Sequence, residues 1–593
     1  MAHRSGDVAT LLDCWECIKQ KGHLSRQQLD VLTARVENEV SGNDICAVKL
    51  SAITQLFKSA TRVDGLGMRS SCCYLLVNTP LVECLLGCIS SNSKLIAFLA
   101  CKAFVAVVTS NVMEDSARCQ WGDSLCQKII ESPALLQRSP SYDCKTMVFG
   151  LESLRLLVKH WRVAMTDRKE TSEPMQGSFI AGCIQSRFLP LIDVAFEVHL
   201  QLSSIRSIPQ CVYLAVCDDV GSFLAFHRET LLFTAPVCLN NATTFPSGSH
   251  TDVSALAHLR ETSMALIPRW VSLLDNASYP SRVKRQILEL VSCSLPTELL
   301  CSSIPISSSL ADVVRYCLQS DSYSEFCSLV LQGVQLLVSR ESSDISSFVV
   351  NAMRSEDESL CVQAFMLVSL KLAVGFLKAI ETDLIADDLW QCLNDCILKP
   401  IVHSTIGPLS FIDIVFSLFG FQDDLLIDVL WLHMEGCNQL KKLSRVPEEL
   451  QQILTNHIPR SHHMFSRLVK FLRFDHSVLL DFLISSETRF LDYFTHYLKM
   501  LIQNWNAFRS PHRKLEILSQ SREVEADAGV SDVDSEATTS DCVDSVMTVL
   551  IRLRLAMERL QCQGLFPYNA APLLALLERV EECYENDTDT TEL

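Results

Sequence analysis

Glycine and proline are scarce in this chain, 19 of each among 593 residues, or about 3% apiece where soluble proteins use roughly 7% and 5%. That disfavours a glycine-rich nucleotide-binding fold and a turn-dense all-β architecture, and it favours long stretches of helix. Familiar catalytic spacings are missing as well. No Walker A, GxGxxG, GxSxG, HExxH or kinase signature occurs, and Gly65 and Gly67 lack the third glycine of a phosphate loop, so they read as a turn. Positive charge is also thin. The formal charge is −18, and segments 521–541 and 578–593 each hold seven acids and one Arg, so together they supply −12 of it. Such a chain lacks the counter-ion-releasing surface of a non-specific nucleic-acid binder. Direct nucleic-acid binding is not expected, and the short basic runs 281–285 and 509–514 do not establish an import signal.

What the chain has is apolar surface. Apolar residues make up 48% of it and the mean hydropathy is +0.21, high for a soluble protein. One hydrophobic core does not usually serve this length, so several domains or an elongated repeat array are expected. The 26 cysteines scatter from Cys14 to Cys583, where they act as small buried hydrophobes rather than a disulfide framework. The N-terminus shows no apolar run of signal-peptide length. An intracellular location, cytoplasmic or nuclear or both, is therefore expected, and the sequons at Asn241, Asn276 and Asn586 are chance matches. The most apolar window starts at Leu360, but Lys371 lies at its middle. A centred Lys is costly in a bilayer, so a buried helix fits better than a membrane span.

Apolar residues recur at helical spacing. In segment 474–501, Asp475 caps a helix whose face is Val478, Leu479, Phe482 and Leu483. Ser485 and Ser486 break it. A second helix then opens with Glu487 in its first turn and aligns Phe490, Leu491, Phe494, Tyr497, Leu498 and Leu501, with Trp505 and Phe508 continuing that face. Ser93 precedes another helix, with Leu95, Leu99 and Ala103 as its stripe; Ser410 and Asp413 open one that Gly420 ends. Helix pairs that cannot bury an apolar face alone stack in series, so the predicted fold is all-α, an armadillo/HEAT-like α-solenoid of degenerate helix pairs. An irregular multi-helix globule competes with it. Loops are expected at 166–178 and 236–253.

Three regions are predicted: a helical region over 1–508, an acidic Ser-rich disordered linker over 509–541, and a small helical module with an acidic tail over 542–593. The linker loses apolar periodicity and cannot offset its chain entropy. In the module, Val543, Val546, Leu550, Leu553, Met557 and Leu560 alternate three and four apart. Asn569 caps a final helix with Pro572 in its first turn and Leu573, Leu574, Leu577 and Val580 on one face. The seam is under three heptads long, so packing of the two helices together or onto the preceding array is favoured over a dimer, and a monomer is expected.

Candidate sites are few. Cys14 and Cys17 have CxxC spacing, but His23 is the only nearby partner, so zinc or redox use is not expected. The pairs Cys84/Cys88 and Cys392/Cys396 read the same way. His457, His462, His463 and His476 lie close together without metal-ligand spacing. No catalytic, cofactor-binding or metal residue is assigned. Ser531, with Asp534 three residues on, is a candidate site for an acid-directed kinase.

Two blocks carry a resemblance. The first runs from Leu479 to Thr488 and includes Leu480, Asp481, Phe482 and Leu483; Phe490, Leu491, Tyr493, Phe494 and the downstream Trp505 follow. The second is Leu565, Phe566, Pro567, Tyr568 and Asn569. In this order, around a variable acidic stretch, they resemble the Lines family, in the form its vertebrate members take. The resemblance implies an armadillo-like helical N-terminal region, a small C-terminal domain and no catalytic activity or cofactor. It also implies a link to Wnt-type developmental signalling through protein partners. The expected function is a non-enzymatic interaction scaffold whose aromatic motif residues are mostly core. A transcriptional or nuclear-transport regulator is the alternative, and an enzyme with an unrecognised site the remote one.

Overall fold

The computed structural model describes residues 13–33, 43–60, 66–110, 121–129, 145–167, 210–234, 250–302, 307–323, 356–390, 411–443, 460–509 and 537–591, with short gaps inside some of these ranges. All regular structure among them is helical. Segments 168–209 and 324–355, most of the predicted linker with Ser531, and Cys392, Cys396 and His457 lie outside the described residues. The chain divides into two compact units, Met1–Trp270 with Asn276–Ser294, and Val271–Asp275 with Leu295–Leu593.

The first unit contains α1 (Asn43–Ala60), α2 (Leu81–Ile89), α3 (Lys94–Val108), α4 (Lys145–Asp167), α5 (Gln210–Thr234), α6 (His250–Ala265) and α7 (Ser281–Ser294). Each packs mainly on near neighbours in the chain: α3 touches α1, α2 and α4, and α5 touches α4, α6 and α7. Ser93 caps α3 by accepting the Ile96 N–H, as its position predicted. The buried face is Ile96, Ala97, Ala100, Cys101, Phe104 and Val107, while Leu95 is exposed. Of the expected Leu95–Leu99–Ala103 stripe, Ala103 is buried, Leu99 half-buried and Leu95 exposed, so the buried face is centred about one residue of rotation away. Lys94 and Lys102 mark the exposed side, and Leu95 lies beside them on it. The loop expected to reach residue 253 is shorter, since α6 begins at His250, and Gly67 lies in a helix, Leu66–Asn78, rather than a turn.

Two buried polar side chains of this unit, His227 and Arg260, are hydrogen-bonded. His227 is fully buried; Trp270 donates its indole N–H to Nδ1 at 3.1 Å, so Nε2–H donates to the Ser263 carbonyl at 3.0 Å. Burial lowers its pKa to about 4, although the Ser263 carbonyl works in the opposite direction. Arg260 reaches the carbonyls of Leu231 and Ser294, both at 3.4 Å, and so links α6 to α5 and α7.

The second unit contains α8 (Thr297–Leu300), α9 (Ser308–Gln319), α10 (Glu356–Glu381), α11 (Phe411–Phe419), α12 (Asp423–Lys442), α13 (Ser461–Phe471), α14 (His476–Ile484), α15 (Phe490–Gln503), α16 (Ala537–Cys562) and α17 (Ala571–Thr591). Helix α12 is central, touching α8, α10, α11, α13 and α15. Helix α10 holds the most apolar window, Leu360–Glu381, long and apolar enough to cross a membrane, yet most of it is buried within the protein. Its polar residues explain that placement. Lys371, Lys378 and Gln363 are all buried, and Lys378 Nζ donates to the carbonyls of Leu299, at 2.9 Å, and Ser302, where α8 ends. An ammonium on the carbonyl end of a helix is well placed for the dipole. Burial still dominates, lowering the Lys378 pKa.

Candidate functional site

The two blocks singled out in sequence meet in space, in the second unit. Asp475 caps α14 as predicted, accepting the Ser477 N–H at 2.8 Å. The entry into that helix was not predicted. Arg473 and Phe474 both take left-handed backbone, φ 57° and 58°, and Phe474 N–H donates to the Val469 carbonyl at 2.9 Å, closing α13 without a glycine. Two non-glycine residues in that region cost roughly 1–2 kcal/mol each. The following helix starts later than expected: α15 begins at Phe490, with Asp492 in its first turn, and Glu487 lies outside the described residues.

Helices α13 and α15 share an aromatic core. Phe490, Phe494 and Tyr497 are fully buried, with Phe490 and Phe494 stacked at 5.2 Å and Phe465 and Tyr497 at 4.1 Å between centroids. Tyr493 is buried on the same helix; Leu479, Phe482 and Leu483 are buried on α14. Leu480 and Leu491 are half-buried and Asp481 is exposed. Trp505 is half-buried against Phe508 and Tyr584. Of the histidines, His462 lies 3.5 Å from the Tyr497 hydroxyl, while His476 sits apart beside Asp475. No group of three or more metal-ligating side chains occurs among the described residues. Cys14, buried beside the Gln28 carbonyl, is a weakly acidic thiol pushed up to about 11, mainly by burial.

The C-terminal pair docks here. Helix α16 packs on α13 and α14, and α17 packs on α15 and α16. Val546, Leu550, Leu553 and Met557 of the predicted seam are buried, and so are Met547 and Val549, because α16 has neighbours on two sides. Gly564, φ 67°, ends α16 and lets Leu565 N–H reach back to the Leu560 carbonyl at 2.9 Å. The chain then turns through the second block. Phe566 packs edge-on to Tyr568 at 4.9 Å, and Tyr568 donates its hydroxyl to the Leu483 carbonyl at 3.0 Å. Burial pushes the Tyr568 hydroxyl up to about 12, so it remains a donor. Asn569 accepts the Ala571 N–H at 3.1 Å, opening α17, while Leu565 and Pro567 are exposed. Arg554 ties α16 to α17 through Glu581 at 2.6 Å and also pairs with Glu558.

One constellation was not seen in sequence. Arg489 precedes α15; its guanidinium donates to both Asp428 oxygens at 2.8 and 3.0 Å and to Glu298, while Thr297 donates to Asp428 at 3.1 Å. Burial alone would lower the Arg489 pKa, but the carboxylates of Asp428 and Glu298 outweigh it and raise it. The network joins α8, α12 and the start of α15. Its members lie 61 and 191 positions from Arg489, so no local spacing could show it. Asp428→Ala should destabilise this unit by about 2–3 kcal/mol. That is below the ~3–5 of a fully buried pair, because Arg489 is 38% exposed and keeps Glu298. Hydrogen exchange of α12 and α15 amides in the full chain reads it; unchanged protection would show the network to be decoration.

The segment 258–511 matches the family model described as Lines N-terminus, and 546–582 matches Lines C-terminus. The chain is 30% identical over 177 residues to "Protein lines" of Drosophila melanogaster, covering 30% of this chain and 18% of that protein. It is 28% identical over 166 residues to "Protein Lines homolog 1" of Homo sapiens, covering 26% of this chain and 22% of the relative. To the Mus musculus protein of the same name it is 33% identical over 120 residues, covering 19% and 16%. The matched stretch is thus about a fifth of each relative's length. No solved structure matches. With both family segments present in order, and their diagnostic blocks joined in one helical unit, this chain belongs to the Lines family.

Proposed function

We propose that this protein is a non-enzymatic interaction scaffold acting inside the cell, with each unit an armadillo-like stack of helix pairs. What supports this is the junction of the two family blocks. Their aromatic and aliphatic residues are spent on packing α13–α15 against α16 and α17, which leaves the outward helix faces to select partners. The C-terminal module is then a built-in part of the partner-binding body, not a separate tethered ligand. The setting implied by the family resemblance is developmental signalling of the Wnt type.

Proximity labelling with the full chain, beside a full chain carrying Leu573→Asp and Leu577→Asp, tests this. Both leucines are buried on α17, so the carboxylates should release that helix while α12 amides stay protected from exchange. The expected outcome is a reproducible set of protein neighbours that shrinks in the variant. Recovery of no neighbours above background by the unmodified chain would remove the scaffold reading. Identical sets would remove the module from it.

A further inference from the structure

Helix α3 is covered by α1, α2 and α4, and its remaining side exposes two large apolar side chains. Leu95 is 56% exposed and Phe98 39% exposed, one turn apart on that side. The helix carries two charged residues, Lys94 and Lys102, both exposed and both on the same stripe. Lys102 Nζ lies 4.2 Å from the centroid of the Phe98 ring, which holds the ring and the charge in one place. No carboxylate occurs on α3. On the neighbouring helices, Glu152 of α4 is taken up by Arg155 at 2.6 Å, and α2 contributes one exposed acid, Glu83. In a chain of net charge −18 this is a local basic and aromatic spot.

Two exposed apolar side chains between two lysines set the chemistry of the occupant. Lys94 and Lys102 are eight residues apart, about 12 Å along the axis, so they match acids roughly two turns apart on a partner helix. The geometry points to an acidic amphipathic segment of a protein partner, laying two apolar anchors on Leu95 and Phe98 with Asp or Glu opposite the lysines. A second copy fits poorly. A two-fold contact through the same patch brings each lysine pair against its own kind. Two lysines also supply too little charge for a nucleic-acid backbone. The inference rests on the scaffold reading and narrows it to one face and one class of partner. That face lies outside the segments matched by the family models.

The test uses the purified full chain and a fluorescein-labelled 18-residue peptide with Leu and Phe at i and i+4, acids flanking that face, and Ala elsewhere. Controls are a scrambled peptide and one with Lys replacing each acid. Anisotropy should show saturable binding of the acidic peptide alone. Phe98→Ser and the pair Lys94→Glu/Lys102→Glu should each weaken it about tenfold or more, and the charge-reversed pair should instead gain the Lys peptide. These side chains are exposed, and unchanged exchange protection of α3 amides confirms that the fold persists. Equal binding of acidic and scrambled peptides, or no effect of Phe98→Ser, would overturn the inference. So would a dimer in sedimentation equilibrium that Phe98→Ser dissociates. Failure of peptide binding with a full proximity-labelling set sinks this inference alone; an empty set sinks the scaffold reading beneath it.

Discussion

Phe494→Ala should cost the second unit about 3–5 kcal/mol, the range for removing a large aromatic side chain from a packed core. Phe494 is wholly buried, stacked on Phe490 at 5.2 Å and lying 5.9 Å from Phe465. The truncation opens a cavity between α13 and α15 that neighbouring rings cannot fill, because Phe465 and Phe490 are themselves held by Tyr497 and Phe482. Phe494→Leu, which keeps most of the volume, should cost about 1–1.5 kcal/mol. A chain of two compact units need not unfold in one step, so a single melting temperature is the wrong readout. Hydrogen exchange resolved by peptide is the right one. Protection should fall together in α13, α15 and α17, which packs on α15, and remain unchanged in the first unit. A loss below about 1 kcal/mol would mean that α15 is not seated as described.

Acid should loosen the first unit through His227, and the sign follows from its burial. The imidazole is neutral in the folded chain with its pKa lowered to about 4, against an ordinary value near 6.5. Between those values the unfolded chain binds a proton that the folded chain does not. The stabilisation is therefore complete above about pH 6.5, falls as pH drops, and is gone near pH 4. The whole effect is about 3 kcal/mol, at up to ~1.4 kcal/mol per pH unit. His227→Gln should flatten this dependence. It should also cost about 1–2 kcal/mol at neutral pH, because Trp270 N–H and the Ser263 carbonyl are less well met. Exchange protection in α5 and α6, followed from pH 7 to pH 4, measures both. A slope that survives in His227→Gln would place the titrating group elsewhere.

The helical class, the Asp475 and Asn569 caps, the burial of Leu573, Leu577 and Val580, and the membership of both family blocks could all be read from residue order. These features depend on side chains within about four positions of one another, which is the range over which a helix imposes its period. Where the local pattern was ambiguous, it misled. Helix α3 is apolar apart from Lys94 and Lys102, and contact with α1, α2 and α4 leaves Leu95 outside beside them. The left-handed pair Arg473 and Phe474 carries no glycine to announce it; its amides turn back to the Lys470 and Val469 carbonyls of α13.

Sequence alone determined that this chain would be built of amphipathic helices bearing two Lines blocks, because periodicity and capping are local. Only the tertiary structure decided that Tyr568 would rest on the Leu483 carbonyl, that Arg489 would bridge Asp428 and Glu298, and that the stripe of Lys94, Phe98 and Lys102 would be left open. The first two pairings join residues 61 to 191 positions apart. The open face exists only because three other helices occupy the remaining sides. Charge and shape complementarity across such separations is settled by packing, and no spacing in the chain encodes it.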